Sequence, residues 1–322
     1  MTLETEALLE RRRLRRRLSF WRALGVTAVV VIASALLFGS ETFTQMTAPS
    51  QIARISIEGA ITDDREQLQL LKRVADADHV RGVVVYVNSP GGTTTGGEGL
   101  FQALRKISEK KPVVAQFGTL AASAGYIVGL GSDYIVARGA TVTGSVGVLV
   151  QWPEVDQLLE KLGVKMNTVK SGAMKATPNP FEPVDEASKR MTEEMIADSF
   201  KWFVGLVEER RNIKAADVPG LLEGRVFSGR EALQHKLVDQ LGGEAEAVQW
   251  LEGRGVASGL QIIEWKQTPT GGSLWFSSAM SNVAEAAFGE AGKAITEVLT
   301  GPGRLRMVGL DGLLSVWHPS EK

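Results

Sequence analysis

From Ile52 onward, short apolar runs alternate with stretches of helical spacing, and this rhythm limits the folds open to the chain. The runs Ile52–Ile57, Gly82–Val87, Val113–Phe117, Tyr134–Val136 and Val164–Val169 read as strands. Between and after them, Glu66–Ala75, Glu98–Glu109, Pro153–Leu162 and Asp185–Arg211 place apolar residues three and four apart, as helices do. Repeated βα units predict an α/β fold with a mainly parallel sheet. In the last of these helices Met191, Met195, Phe200, Phe203 and Leu206 form an apolar stripe expected to pack in the core.

Two of the predicted strands end in chemically distinctive turns. Arg81–Val87 runs into Asn88-Ser89-Pro90-Gly91-Gly92, where glycines free backbone N–H groups to face a developing negative charge. Pro112–Phe117 runs into Gly118-Thr119-Leu120-Ala121-Ala122-Ser123-Ala124-Gly125-Tyr126. A serine on a sharp strand-to-helix turn is the architecture of an activated nucleophile. Taken singly, each feature has a plainer reading: Ser123 as a helix cap, Gly91-Gly92 as a turn, and the lysines considered next as solvated charges.

The usual base is missing. The three histidines, His79, His235 and His318, lie apart from both turns, cysteine is absent, and no metal-ligand spacing occurs, so neither metal nor cofactor is expected. A lysine is the remaining candidate, provided burial disfavours its charged form, since a free lysine titrates near ~10.4. Lys170 and Lys175, in Val169-Lys170-Ser171-Gly172-Ala173-Met174-Lys175, both follow a strand-like run. The residues rank them only weakly.

Five motifs in order narrow the choice: Asn88–Gly92, Ala121–Tyr126, Thr143-Gly144-Ser145-Val146-Gly147, Lys170–Lys175 with Pro180-Phe181, and Gly224–Gly229 with Leu237–Gly242. Together they resemble the bacterial signal peptide peptidase family (SppA type, short single-domain form), Ser/Lys-dyad serine proteases of ClpP/crotonase-like fold. The resemblance covers about residues 50–250. It implies Ser123 as nucleophile, Lys175 as general base, Ser145 as the residue orienting the lysine, and the Gly91-Gly92 turn as the oxyanion-hole backbone. Ala124, Ala176 and His235-Lys236 depart from the family pattern without removing a catalytic group. The resemblance further implies peptide substrates, remnant signal peptides among them, and a homo-oligomeric ring in which neighbours complete each other's dyad. Two other classes share the expected fold: a crotonase-like acyl-CoA enzyme, and a non-catalytic membrane scaffold.

The ends of the chain speak to location. Residues 1–22 hold seven Arg against three Glu, a net of +4, so the other 300 residues sum to −5 within an overall −1. That balance argues against nucleic acid as a partner. Ala23–Phe38 is uncharged, and with the preceding rim residues it reaches the ~20 residues a bilayer core needs. Cuts after Gly39, Ser40 or Ala48 would put Leu37, Phe38 or Met46 at the −3 position, unlike a cleavable leader. The expected order is a cytosolic basic segment (1–22), a retained membrane anchor (23–40), an extracytoplasmic protease domain (50–251), and a C-terminal region (252–322) with a linker, an amphipathic helix and an apolar tail. In a bacterium this is the inner membrane.

Overall fold

A computed structural model of the chain describes residues 49–267, isolated helical positions between 17 and 27, and the backbone of 314–316. Most of the expected basic N-terminus and membrane anchor, and the whole C-terminal amphipathic helix, lie outside the described residues. Among those described, no helix is long and apolar enough to cross a membrane.

The fold is mixed α/β with a mainly parallel sheet. Among the described residues nine strands follow in chain order: β1 (Gln51–Ile61), β2 (Val80–Thr93), β3 (Val113–Ala122), β4 (Tyr134–Ala137), β5 (Val142–Gly144), β6 (Val226–Ser228), β7 (Gln240–Leu241), β8 (Gln261–Glu264) and β9 (Leu314–Val316). Their main order is β6-β5-β3-β2-β1-β8, with β4 on β3, β7 on β4 and β9 on β2. Among the described strands, the β5–β6 and β2–β9 pairings are antiparallel and the rest parallel. The helices are α1 (Arg65–Asp76), α2 (Thr94–Ser108), α3 (Ala124–Leu130), α4 (Asp156–Lys161), α5 (Glu186–Arg211), α6 (Gly229–Gln234) and α7 (Glu244–Gly253).

The sheet is buried on both faces at its centre, so Val83, Val84, Val85 and Val87 form a continuous apolar run rather than an alternating one. One face packs Ile52, Val84, Val114 and Val136 against Ala247 and Leu251 of α7. Helix α1 buries Leu70, Leu71 and Val74, and α2 buries Leu100, Leu104 and Ile107, both at helical spacing.

The long strands break near their C-terminal ends, and the breaks shape the site. The β1–β2 register shifts between Glu58 and Ala60, around Gly59 at φ 71°. The β2–β3 register shifts between Val87 and Ser89. Strand β3 gives its outer edge to β4 over Val114–Phe117, then to β5 over Leu120–Ala122.

Four expectations change. Strand β2 does not stop at Val87; it continues through Pro-Gly-Gly to Thr93, pairing Ala60 with Gly91 and Ile61 with Gly92. Pro90 is tolerated because it falls at the register break, where no ladder bond is asked of it. Val164–Val169 is not a strand: Val164, Met166 and Val169 are exposed, and no neighbouring strand offers their backbone a partner. The helix expected over Pro153–Leu162 shrinks to α4, none of whose residues is buried. The stripe on α5 is likewise core only at its C-terminal end, where Phe203, Leu206 and Val207 are buried while Met195 is exposed.

Candidate active site

Small residues let the strand ends and two helices converge. A Cβ on Gly125 would lie 3.0 Å from the Ser89 carbonyl oxygen, and one on Gly97 would lie 3.3 Å from the Ala124 Cβ. The start of α3 is therefore wedged against β2 on one side and α2 on the other. Gly92 is tighter still, since a Cβ there would fall 1.8 Å from the Ile61 carbonyl oxygen. Polar ties fix the same corner. Asn88 Oδ1 accepts from the Leu120 N–H at 3.2 Å, and the Thr143 hydroxyl donates to the Ala121 carbonyl at 2.7 Å.

Ser123 sits where β3 turns into α3, at φ 58° and ψ −119°. Its side chain makes no capping hydrogen bond, although it occupies the cap position. Its N–H donates to the Gly144 carbonyl at 2.9 Å, and its own carbonyl accepts from Tyr126 and Ile127. A non-glycine residue at positive φ costs on the order of 1–3 kcal/mol unless its surroundings impose it. Here they do: α3 is buried throughout, and the Tyr126 hydroxyl is anchored on the Leu237 carbonyl at 2.8 Å. Burial pushes the Tyr126 phenol well above its ordinary range, so it stays a neutral donor.

The other predicted positions fall into two groups. Cα pairing of Ser89 with Ala121 puts Gly91 and Ser123 two residues beyond a shared rung, on adjacent strands. Gly91 has φ 116°, and its N–H donates to the buried Ser89 hydroxyl at 3.1 Å. Gly92 leads through Thr93 into α2; Thr93 caps that helix by accepting from the Gly96 N–H, and no acidic residue occupies its first turn. Ser145 follows Gly144 directly, at φ 53°, with its N–H on the Arg225 carbonyl at 2.9 Å. Gly91, Gly92, Ser123 and Ser145 thus belong to one corner of the sheet.

Lys175 belongs to a different element. It lies in the irregular arm between α4 and α5, in a turn closed by its N–H on the Gly172 carbonyl at 3.1 Å. The burial expected of a lysine base is not met within one copy of the chain, where Lys175 is exposed. The rival Lys170 is paired with Glu182, whose carboxyl it holds below the ordinary range through a side-chain hydrogen bond. Lys170 is therefore committed to a structural ion pair. Large apolar side chains stand exposed along the same arm: Leu158, Leu162, Val164, Met166, Val169, Met174 and Phe181.

Backbone strain marks these positions independently. Among the described residues, five non-glycine residues have positive φ: Ser123, Ser145, Ala176, Asn212 and Lys236. Two are candidate catalytic residues and a third follows Lys175. Strain of this kind gathers at functional sites. Asn212 has the ordinary explanation, ending α5 in the left-handed conformation. His235, just past α6, packs edge-on against Phe227 and fills a structural role. The described residues contain no cluster of His, Cys, Asp or Glu able to hold a metal.

The residues sequence reasoning underrated are the positioning groups Asn88, Ser89 and Thr143. All three stood inside quoted motifs, but their bonds to Leu120, Gly91 and Ala121 are visible only once the strands are paired.

Residues 105–256 match the model of peptidase family S49, a stretch containing Ser123, Ser145 and Lys175. A protease of Synechocystis, provisionally so named, is 36% identical over 202 residues, 62% of this chain and 73% of that one. The chain belongs to peptidase family S49. A protein of Enterococcus faecium, provisionally named signal peptide peptidase SppA, is 32% identical over 266 residues, 76% of this chain and 77% of that one. Protease 4 of Haemophilus influenzae is 31% identical over 63% of this chain and 35% of its own length. Among solved structures, a membrane-bound stomatin-specific protease aligns at TM-score 0.44 and 16% identity, over 69% of this chain and all of that one. That score is below what establishes a shared fold. Within S49, this chain is a serine peptidase.

Proposed function

We propose that this serine peptidase is a membrane-anchored endopeptidase that cleaves remnant signal peptides and other hydrophobic peptides through a Ser123/Lys175 dyad. The observation that carries the reading is Ser123 itself, a buried serine held at φ 58° on a strand-to-helix turn, in the segment matched by the family. A serine on such a turn has the geometry of a nucleophile.

In this reading the Lys175 amine takes the Ser123 hydroxyl proton as Oγ attacks the peptide carbonyl, then gives it to the leaving amine. Backbone N–H of the Gly91-Gly92 segment stabilises the oxyanion, worth about 3–4 kcal/mol per donor. Ser145 orients the lysine, and water then releases the acyl group by the same route.

An exposed Lys175 on an arm of exposed apolar side chains supports a ring in which this arm packs on a neighbouring copy and delivers the lysine there. The basic N-terminus and apolar segment 23–40 support anchoring in a bacterial inner membrane, catalytic domain outside the cytosol.

A fluorophosphonate probe applied to the full chain tests the assignment. Labelling is expected in the wild type and lost in Ser123→Ala; labelling that persists in Ser123→Ala defeats it.

A further inference from the structure

Helix α5 is held from one side. Phe203, Leu206 and Val207 are buried, while Asp198, Trp202, Gly205 and Glu209, four and three residues apart, share the outward face. With Lys201 and the edge of Leu206 they line a groove of about 480 Å³. Trp202 is half-buried, and a Cβ on Gly205 would meet nothing within 4 Å, so the groove has an open notch beside the indole. Its rim carries two carboxylates against one ammonium.

A feature of opposite character stands on the same chain. Helix α4 ends in a closed turn: Gly163, at φ 76°, brings the Val164 N–H to the Leu159 carbonyl at 2.9 Å. Leu162 and Val164 are 68% and 46% exposed there. Residues 161–169 are all exposed, include Lys161 and Lys165, and contain no acid. Exposed apolar residues gathered in one short turn mark an interaction site.

We propose that this basic apolar turn of one copy seats in the α5 groove of the next, with Leu162 in the notch beside Trp202. Charge complementarity selects the occupant: a turn of net +2 meets a rim of net −1, and every copy carries both. Within one copy the turn stays exposed, so it does not fill its own groove. Turn and groove are different patches, so the contact is head-to-tail. The docking rests on the ring reading above, whose receiving surface it names, and not on the Ser123/Lys175 chemistry.

The chain has no cysteine, so engineered thiols report the contact. Asn167→Cys on the turn and Lys201→Cys on the rim are both exposed and leave turn and notch intact. Full-length chains carrying one thiol each, differently tagged, are co-expressed, purified in detergent and treated with a short bis-maleimide. The covalent heterodimer is expected to exceed either homodimer at least about tenfold, and a chain with both thiols should give a ladder of multimers. Gly205→Phe, which fills the notch from solvent, should lower crosslinking at least about tenfold. Lys161→Glu with Lys165→Glu should do the same, as should Asp198→Lys with Glu209→Lys, and the two reversals combined should restore it. A heterodimer no more abundant than the homodimers, crosslinking confined within single chains, or no rescue by the combined reversals overturns the proposal. A turn protected from hydrogen exchange in phosphatidylglycerol proteoliposomes but not in detergent oligomers overturns it too, giving the turn to the lipid surface. Sedimentation separates this failure from that of the ring: oligomers without the heterodimer remove the docking alone, whereas a monomeric chain removes both.

Discussion

The Ser123 N–H donates to the Gly144 carbonyl at 2.9 Å, and Ser145 is the next residue along the chain. A single peptide plane of β5 thus joins the residue proposed as nucleophile to the residue proposed to orient its base. Both have positive φ. Moving either backbone moves the other.

Ser123→Gly is expected to abolish peptidase activity and raise stability. Glycine reaches φ 58° without the Cβ penalty, so relief of about 1 kcal/mol should lift Tm by roughly 2–4 °C. Calorimetry beside a peptidase assay checks this; an unchanged or lower Tm would mean the turn is not strained.

Lys175→Ala should remove activity with folding intact, while Lys170→Ala should retain much of it and Ser145→Ala should slow without abolishing. Full loss in Lys170→Ala with substantial turnover in Lys175→Ala would exchange the roles of the two lysines.

Co-expressed Ser123→Ala and Lys175→Ala chains should complement each other if neighbours share a dyad. In a directional ring, random mixing leaves about a quarter of interfaces with both groups. Recovery near that level, measured on demonstrably mixed oligomers, supports the arm-to-neighbour arrangement; zero recovery confines each dyad to one chain.

Two glycine substitutions should move in opposite directions. Gly92→Ala puts a methyl 1.8 Å from the Ile61 carbonyl oxygen and should cost at least about 3 kcal/mol, with loss of activity. Gly205→Ala, in α5 with nothing within 4 Å, should stabilise by about 0.5–1 kcal/mol. Urea unfolding of both distinguishes close approach from conformational freedom.

Acid should loosen the Lys175 arm before the sheet. Glu182 is held below its ordinary value first by the Lys170 hydrogen bond, and Asp185 first by the Ser188 N–H at the start of α5. Lowered carboxyl values mean the stabilisation is present above the unfolded values, near ~4, and fades as pH falls through the folded ones. Hydrogen exchange of residues 170–185, corrected for intrinsic rates, should rise below about pH 4. At pH 6, Lys170→Met should reproduce that loosening; an arm equally protected at pH 6 and pH 3 would show that these contacts do not hold it.

The legible parts were those with a local cause. Val83–Val87 announced a doubly buried strand, Asp185 capped α5 where the spacing placed its start, and the small residues around Ser123 announced a tight turn. What escaped depends on partners far away in sequence. Strand β2 runs past Val87 because Ala60 and Ile61 are there to pair with Gly91 and Gly92. Val164–Val169 looks like a strand in composition but has no edge to join. Lys175 carries no signal of exposure, because whether an arm packs inward is settled by surfaces outside its own segment.

The corner that holds Ser123 also closes late in synthesis. The Ser145 N–H is closed by Arg225, 80 residues later (225 − 145), and the Tyr126 hydroxyl by Leu237, 111 residues away. A nascent chain that has exposed only its first two hundred residues lacks both struts. Its serine is present but unaimed, so under the proposed mechanism a chain still being synthesised would be spared from its own chemistry until translation has passed the point where β6 and the Leu237 carbonyl can dock.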